Sequence, residues 1–244
     1  MENTTNKMKV EVWSDIMCPF CYIGKRNYEA GLKQFTDSNN IEIIWKSFQL
    51  DPTIPQQTDG TENVYEYLAS RKGMSYEQSV HMHDGVVATA KKAGLEYNFD
   101  KAVIANSFNA HRMIQLAKTK GLGDAAEERL FYAYFTEGKN FGNPDVLIEL
   151  GKDIGLTEAE VKTALTDDSY AYKVTQDIQE AQQLGVRGVP FFVFDRKYAI
   201  SGAQPPQAFL ETLEKSFSEW RKENPASPFE VSNGPSCTTD GVCE

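Results

Sequence analysis

The stretch Cys18-Pro19-Phe20-Cys21 decides the fold through what lies on either side of it. The alternating run Val10-Glu11-Val12-Trp13 predicts a strand over about residues 8–14, and the pattern after the motif predicts a helix over about residues 18–35. A Cys-x-x-Cys at a strand-to-helix junction places its first sulfur at a helix N-terminus, where unpaired N–H groups and the helix dipole stabilise a thiolate. Pro19 suits the first helical turn because it has no N–H to lose there. The stretch therefore predicts a redox-active pair of thiols.

The two cysteines are expected to have different roles. Cys18 is the candidate nucleophile and should be the exposed thiol, since it lies at the helix start. Cys21 is the candidate resolving thiol, turned inward on the same helix and able to attack a mixed disulfide. A structural zinc half-site, or two ordinary buried cysteines, remain as alternatives.

Composition excludes some classes of function. The chain has 244 residues, of which 41% are hydrophobic and 25% charged, as in ordinary globular proteins. A net charge of −10 argues against a nucleic-acid binder and against attraction to an anionic membrane. The polar N-terminus and the lack of a long apolar run predict neither a signal peptide nor a membrane span, so we expect a cytoplasmic protein.

The order of predicted elements indicates an α/β fold. A second strand from Ile41 to about Phe48 completes a β-α-β unit, after which about 100 residues show only helical patterning. Ser75, Asp124 and Thr157 are predicted to cap helices in that block. A helix over about 168–184, a hairpin over 189–201 and a last helix over 205–223 follow.

This order predicts a thioredoxin fold with a large all-helical insertion. The boundaries are residues 1–58 for the N-terminal β-α-β part, 59–165 for the insertion, 166–223 for the C-terminal α-β-β-α part and 224–244 for a tail with a cysteine pair.

Several further stretches carry a resemblance to a known family. Cys18-Pro19-Phe20-Cys21 together with Gly185-Val186-Arg187-Gly188-Val189-Pro190 resembles the DsbA family of disulfide oxidoreductases. The chain looks more narrowly like its FrnE-like branch, related to 2-hydroxychromene-2-carboxylate isomerases and kappa-class glutathione transferases. That likeness rests on Trp13-Ser14-Asp15, Tyr22-Ile23-Gly24, Trp45-Lys46-Ser47-Phe48-Gln49-Leu50-Asp51-Pro52, Asn109-Ala110-His111-Arg112, Tyr134-Phe135-Thr136-Glu137-Gly138 and Ser201-Gly202-Ala203-Gln204.

The resemblance implies a thiol–disulfide oxidoreductase acting on protein or peptide dithiols and disulfides, with glutathione or another small thiol as a further partner. It implies a cis bond before Pro190, with Val189, Pro190, Pro19 and Phe20 lining the substrate groove. Neither a metal nor an organic cofactor is expected, nor a nucleic-acid or membrane partner.

Two rival functions remain. One is a glutathione-dependent isomerase or transferase, although those relatives typically carry a serine in place of Cys18 and lack the second cysteine. The other is a zinc-binding interaction module that uses all four cysteines, although the gap between Cys237 and Cys243 is wide for a zinc knuckle.

Four further residues have a possible accessory role: Asp15, His111, Cys237 and Cys243. Relatives often have a buried acid six residues before the first cysteine, but this chain has Val12 there. Asp15 is the nearest acid, and it either takes part in proton transfer or only forms the turn. His111 faces the groove or, as the pattern favours, packs in the core. Relatives often end in a cysteine pair like Cys237 and Cys243, which implies an electron relay to Cys18 and Cys21, against the alternative of two idle thiols.

Overall fold

A four-stranded mixed sheet forms the base of the molecule in a computed structural model that describes residues 6–56 and 62–225. Strands β1 (Met8–Ser14), β2 (Ile41–Ser47), β3 (Phe191–Phe194) and β4 (Tyr198–Ser201) lie in the order β2-β1-β3-β4. β1 pairs with β2 in parallel, as a right-handed β-α-β unit requires, and β3 pairs antiparallel with β1 and with β4. The hairpin turns at Asp195 and Arg196, whose φ angles of 48° and 55° fit a type I′ turn.

Helices occupy most of the rest of the described chain. They are α1 (Pro19–Gln34), α2 (Val64–Lys72), α3 (Tyr76–Lys92), α4 (Phe108–Lys118), α5 (Gly123–Tyr132), α6 (Pro144–Asp153), α7 (Glu158–Thr166), α8 (Asp168–Gln183) and α9 (Pro206–Glu223). A 3₁₀ turn covers Ser38–Asn40, and a π-helical turn covers Ala133–Glu137 after α5. None of the helices in the described residues is long and apolar enough to cross a membrane.

Local sequence signals explain most helix ends. Ser75 with Gln78 and Thr157 with Glu160 form the capping boxes predicted from their spacing. The predicted cap at Asp124 is wrong, because α5 begins at Gly123 and its N-cap is Leu122. Asp124 instead accepts a hydrogen bond from Nε1 of Trp45 at 3.0 Å, so tertiary contacts have taken its carboxylate.

The insertion packs directly against the active-site helix. One cluster of buried side chains joins Cys18, Cys21 and Tyr22 of that region to residues of the insertion such as Phe131 and Phe135. A second cluster lies between the sheet, α1 and α9. The exact boundaries of the four segments stay a prediction.

Candidate active site

Cys18 lies at the junction of β1 and α1 and is the N-cap of the helix. Its thiol donates to the carbonyl oxygen of Val189 at a sulfur–oxygen distance of 3.4 Å. Only 4% of the residue is exposed, so the expectation of an exposed thiol is wrong. The reason is tertiary: the loop before β3 lies over the helix start, and the sulfur is reached through a cavity rather than from an open surface.

Cys21 lies one turn further along α1 and is buried, with 1% of its surface exposed, as an inward resolving thiol should be. Both cysteines are free thiols. Burial raises the pKa of Cys21 well above its usual range, and the hydrogen bond and charge of Cys18 add to that shift. If one of the two thiols is ionised, the negative charge is therefore disfavoured on Cys21.

The Val189–Pro190 peptide bond is cis, the geometry that the family resemblance implied. The Val189 carbonyl lies against Cys18, and the Pro190 ring packs on α1. A Cβ atom added at Gly24 would lie 2.8 Å from Cγ of Pro190. Gly24 therefore permits the close approach of the helix and the proline loop.

Asp15 and His111 lie together behind the motif. Asp15 is buried and accepts hydrogen bonds from the N–H groups of Leu50 at 2.7 Å and Met17 at 3.3 Å, so it shapes the turn. His111 is fully buried, as the pattern favoured, and its Nε2–H donates to the Phe48 carbonyl at 2.8 Å. The same Nε2 is 3.8 Å from Oδ1 of Asp15. Burial opposes a charge on His111, but Asp15, Glu127 and the Phe48 carbonyl together outweigh it and raise the pKa of His111.

Glu127 of α5 is a buried acid, and its spacing from Asp124 predicts only a helix-capping role for it. Burial raises the pKa of Glu127 to about 7, and the nearby His111 charge only partly offsets this. Its Oε2 atom has no hydrogen-bond partner within the part of the chain that the structure describes. Glu127 therefore titrates near neutral pH.

Aromatic side chains of the insertion contact the first turn of α1, which carries the two cysteines. The hydroxyl of Tyr97 donates to the carbonyl oxygen of Pro19 at 2.7 Å. The Tyr22 ring stacks on Phe131, with 5.0 Å between centroids, and Tyr97 stacks on Phe135 at 4.5 Å. These contacts fix the first turn of α1, so the position of Cys18 depends on the insertion.

A cavity of 540 Å³ opens beside Cys18. Pro19, Phe20 and Val189, all predicted to line a groove, do line this cavity, whereas Pro190 is not part of its wall. Met17 and Gly188 also line it, and the rest of the wall comes from the segment after β2 and from the insertion: Leu50, Asp51, Val64, Tyr67, Leu68, Arg71, Lys72, Met82, His83, Val86, Phe99, Ile104 and Tyr134.

Sequence reasoning missed the contribution of α2 and α3 to this site. His81 and His83 could bind one metal ion only if both rings lay on the same face of α3, and their spacing of two residues in a helix prevents this. Of the two histidines, only His83 lines the cavity. Within residues 6–56 and 62–225 no group of three His, Cys, Asp or Glu side chains is placed to hold a metal ion. Cys237 and Cys243 lie outside the described residues.

Comparison with known proteins agrees with this geometry. A family model described as a DSBA-like thioredoxin domain matches residues 9–214. The uncharacterized protein YwbO of Bacillus subtilis (strain 168) is 28% identical over 217 residues, which cover 88% of this chain and 98% of that protein.

Two solved structures share the architecture. The probable DsbA oxidoreductase SCO1869 from Streptomyces coelicolor is 36% identical, with a TM-score of 0.82 over 97% of this chain and 98% of that one. The cytosolic disulfide reductase DsbM from Pseudomonas aeruginosa is 17% identical, with a TM-score of 0.62 over 86% of this chain and 99% of that one, and shows likeness of fold only.

Proposed function

Since this chain belongs to the family of DSBA-like thioredoxin domains, we propose that it exchanges disulfides with protein or peptide thiols through Cys18 and Cys21. The observation that carries the proposal is the asymmetry of the two sulfurs. Cys18 borders the cavity at a helix N-terminus, whereas Cys21 is enclosed behind it with a raised pKa. An attacking thiol and a resolving thiol need these two environments.

The exchange balances with no other group. The Cys18 thiolate attacks one sulfur of a substrate disulfide, forms a Cys18–substrate mixed disulfide and releases the other substrate sulfur as a thiolate. Cys21 then loses its proton and attacks Cys18, which closes the Cys18–Cys21 disulfide and releases the second substrate thiolate. The substrate gains two electrons and the protein loses two; the same steps in reverse oxidise a dithiol.

The helix start and the loop before β3 act on the attacking sulfur. The N–H groups of the first turn of α1 favour the negative charge of Cys18. The Val189 carbonyl at 3.4 Å accepts from the thiol form and aligns the sulfur toward the cavity wall. Asp15 and His111, held next to each other behind the motif, are our candidates for taking up the Cys21 proton.

The rival functions make different use of the same residues. A zinc module would need Cys18 and Cys21 to face one another with two further ligands, and the two tail cysteines are the only others in the chain. A glutathione-dependent isomerase would not need Cys21. We favour exchange because Cys21 is enclosed beside Cys18, in position for a second step.

The test is substrate trapping with matched variants. Cys21→Ser should accumulate a mixed disulfide between Cys18 and a disulfide-containing protein such as insulin, and this adduct should disappear on addition of a strong thiol reductant. Cys18→Ser should form no adduct and should not reduce insulin. Insulin reduction by Cys18→Ser at the wild-type rate would rule out the proposal, and so would a Cys21→Ser protein with full activity, because that result favours single-cysteine chemistry.

A further inference from the structure

The cavity beside Cys18 has more room than two reacting sulfur atoms occupy. Its volume of 540 Å³ lies within the range of pockets that enclose a ligand group, about 300–1,000 Å³. Buried side chains of the insertion and of the segments around it form its floor, namely Val64, Phe99, Ile104 and Tyr134. The sulfur chemistry needs only the mouth, so the floor serves another part of the substrate.

His83 is a buried polar side chain in the wall of this largely apolar cavity, which also includes Asp51, Tyr67, Arg71, Lys72 and Tyr134. Its Nδ1 lies 2.8 Å from the carbonyl oxygen of Ser79, and since a carbonyl only accepts, Nδ1 carries the hydrogen. Burial lowers the pKa of His83, so the ring is neutral and Nε2 has a free lone pair. Nε2 has no hydrogen-bond partner among residues 6–56 and 62–225.

Neighbouring rings fix the orientation of His83. Tyr65 contacts it edge to face with 4.9 Å between centroids, and Phe99 does so from another side at 4.6 Å. A lone pair held in an apolar wall rewards a ligand that donates a hydrogen bond and penalises one that leaves it unpaired. The cavity therefore fits an apolar group that carries one donor.

The surface around the mouth indicates a polypeptide rather than a small molecule. Phe20, Leu50 and Met82 line the cavity and are 44%, 46% and 40% exposed, respectively. A small ligand inside the cavity would leave these side chains in water, whereas a peptide chain crossing the mouth would cover them. Exposed apolar side chains from three separate segments thus meet at the entrance.

The charges at the mouth add a preference. Arg71 is paired with Asp51 at 2.8 Å, which leaves that pair neutral. Lys72 also lines the cavity and has no ion-pair partner in the described part of the chain. Among residues 6–56 and 62–225, Lys72 therefore adds an unpaired positive charge to the cavity wall, and this charge is complementary to an acidic residue on the peptide.

Building on the proposed exchange activity, we propose that this cavity binds a tyrosine or tryptophan side chain next to the reacting cysteine of a peptide substrate, with its O–H or N–H donating to Nε2 of His83. An aromatic side chain supplies the large apolar body that the floor accepts and the donor that His83 needs. Phenylalanine fits the same space but leaves Nε2 unpaired.

The experiment compares peptides that differ at one position. The protein is first oxidised to the Cys18–Cys21 disulfide, and a short dithiol peptide is then added in excess. The residue beside its first cysteine is Tyr, Phe, Leu or Ala. The peptide gives two electrons and two protons to the protein disulfide, and acid quenching followed by mass spectrometry gives the rate of its oxidation. We expect the Tyr peptide to react about two- to tenfold faster than the Phe peptide, the worth of one net hydrogen bond.

Variants assign the preference to His83. His83→Phe should reduce the Tyr-to-Phe ratio to about one, whereas His83→Gln, which keeps an acceptor, should retain part of it. His81→Phe is the matched control, because His81 lies on the same helix but is exposed and outside the cavity wall. A Glu next to the Tyr should raise the rate and a Lys should lower it, and both effects should shrink in Lys72→Gln.

The possible results distinguish a failure of this inference from a failure of the proposed exchange activity. Equal Tyr and Phe rates in the wild-type protein, or a Tyr preference that survives in His83→Phe, would overturn the inference while the oxidation of all peptides upheld thiol exchange. The inference would also be overturned if the oxidation rate depended on the aromatic ring of a small thiol but not on the residue beside the first cysteine of the peptide. If no peptide were oxidised at all, the proposed function itself would fail.

Discussion

Replacing Gly24 with Ala tests whether the packing of α1 on the proline loop controls the site. The new Cβ would lie 2.8 Å from Cγ of Pro190 and 3.4 Å from Cε2 of Phe192. The first of these distances is shorter than any normal carbon–carbon contact, so α1 or the loop has to move. Because the same loop holds the Val189 carbonyl against Cys18, a shift that relieves the contact also changes the surroundings of the sulfur.

The expected loss of stability follows from two opposing effects. Forcing a methyl group into a well-packed site costs about 1–3 kcal/mol. Alanine is favoured over glycine within a helix by about 0.5–1 kcal/mol, which offsets part of that cost. We expect a net loss of about 1–2 kcal/mol in the free energy of unfolding, and thermal unfolding should shift down by about 3–6 °C for a chain of this size.

Two other glycines provide the controls. A Cβ at Gly31 would lie 2.7 Å from the Pro206 carbonyl oxygen, so Gly31→Ala should destabilise the same helix against α9, away from the cysteines. A Cβ at Gly85 in α3 would meet nothing within 4 Å, and Gly85→Ala should stabilise by about 0.4–1 kcal/mol. Calorimetry gives the stabilities, and the rate of insulin reduction at 25 °C gives the activity.

The pattern across the three variants decides the matter. Gly24→Ala should slow exchange by more than Gly31→Ala, even where both lose similar stability. If Gly24→Ala unfolded at the wild-type temperature, the close approach of Pro190 would be wrong. If it lost stability but kept the full exchange rate, the loop would not control the sulfur, and our reasoning about Val189 would have to be abandoned.

Three further predictions concern single residues. Alkylation should label Cys18 before Cys21 at every pH, because burial raises the pKa of Cys21, and preferential labelling of Cys21 would reverse the assigned roles. Folding raises the pKa of Glu127 from 4.5 to about 7, so the free energy of unfolding should fall as pH rises through about 4.5–7. In denaturant titrations, Glu127→Gln should remove about 2–4 kcal/mol of that fall. An unchanged dependence of stability on pH in this variant would contradict the raised pKa. Asp177→Ala should cost about 3 kcal/mol in the same titrations, because it removes the carboxylate that accepts from the buried Ser47 N–H and from Nε2 of Gln115. A loss below about 1 kcal/mol would show that water replaces the carboxylate.

The fold was predictable from the sequence at positions where the local sequence pattern and the tertiary contacts favour the same structure. Alternation over residues 8–14 and the parallel pairing of Met8 with Ile41 follow from one β-α-β unit with a hydrophobic helix face. The turn at Asp195 and Arg196 and the stop at Gly185, whose φ is 73°, are backbone requirements that short stretches specify. Asp124 shows the opposite case, since a good capping spacing lost to Trp45, a partner 79 positions away.

The site was predictable only in its sulfur chemistry. The spacing of Cys18 and Cys21 specifies two thiols on one helix turn, and their order along the helix indicates which is inward. Burial of Cys18 depends on Val189, which is 171 positions distant, and no pattern near the motif carries that information. The same holds for His83: a histidine on a helix is unremarkable until the fold places it in the cavity wall.

The insertion therefore does more than cover the thioredoxin part of the chain. In the exchange that we propose, residues of the thioredoxin part, Cys18, Cys21 and Val189, carry the steps that every substrate shares. Residues of α2 and α3 line the cavity beside Cys18, so in the same proposal they contact the portion of the substrate beyond the sulfur. Changes in those two helices should alter which substrates react while the exchange chemistry stays the same. Because the Tyr97 hydroxyl of the insertion also donates to the Pro19 carbonyl, this separation has a limit. The part of the chain that we propose to select the substrate also holds the first turn of the helix that carries Cys18 and Cys21.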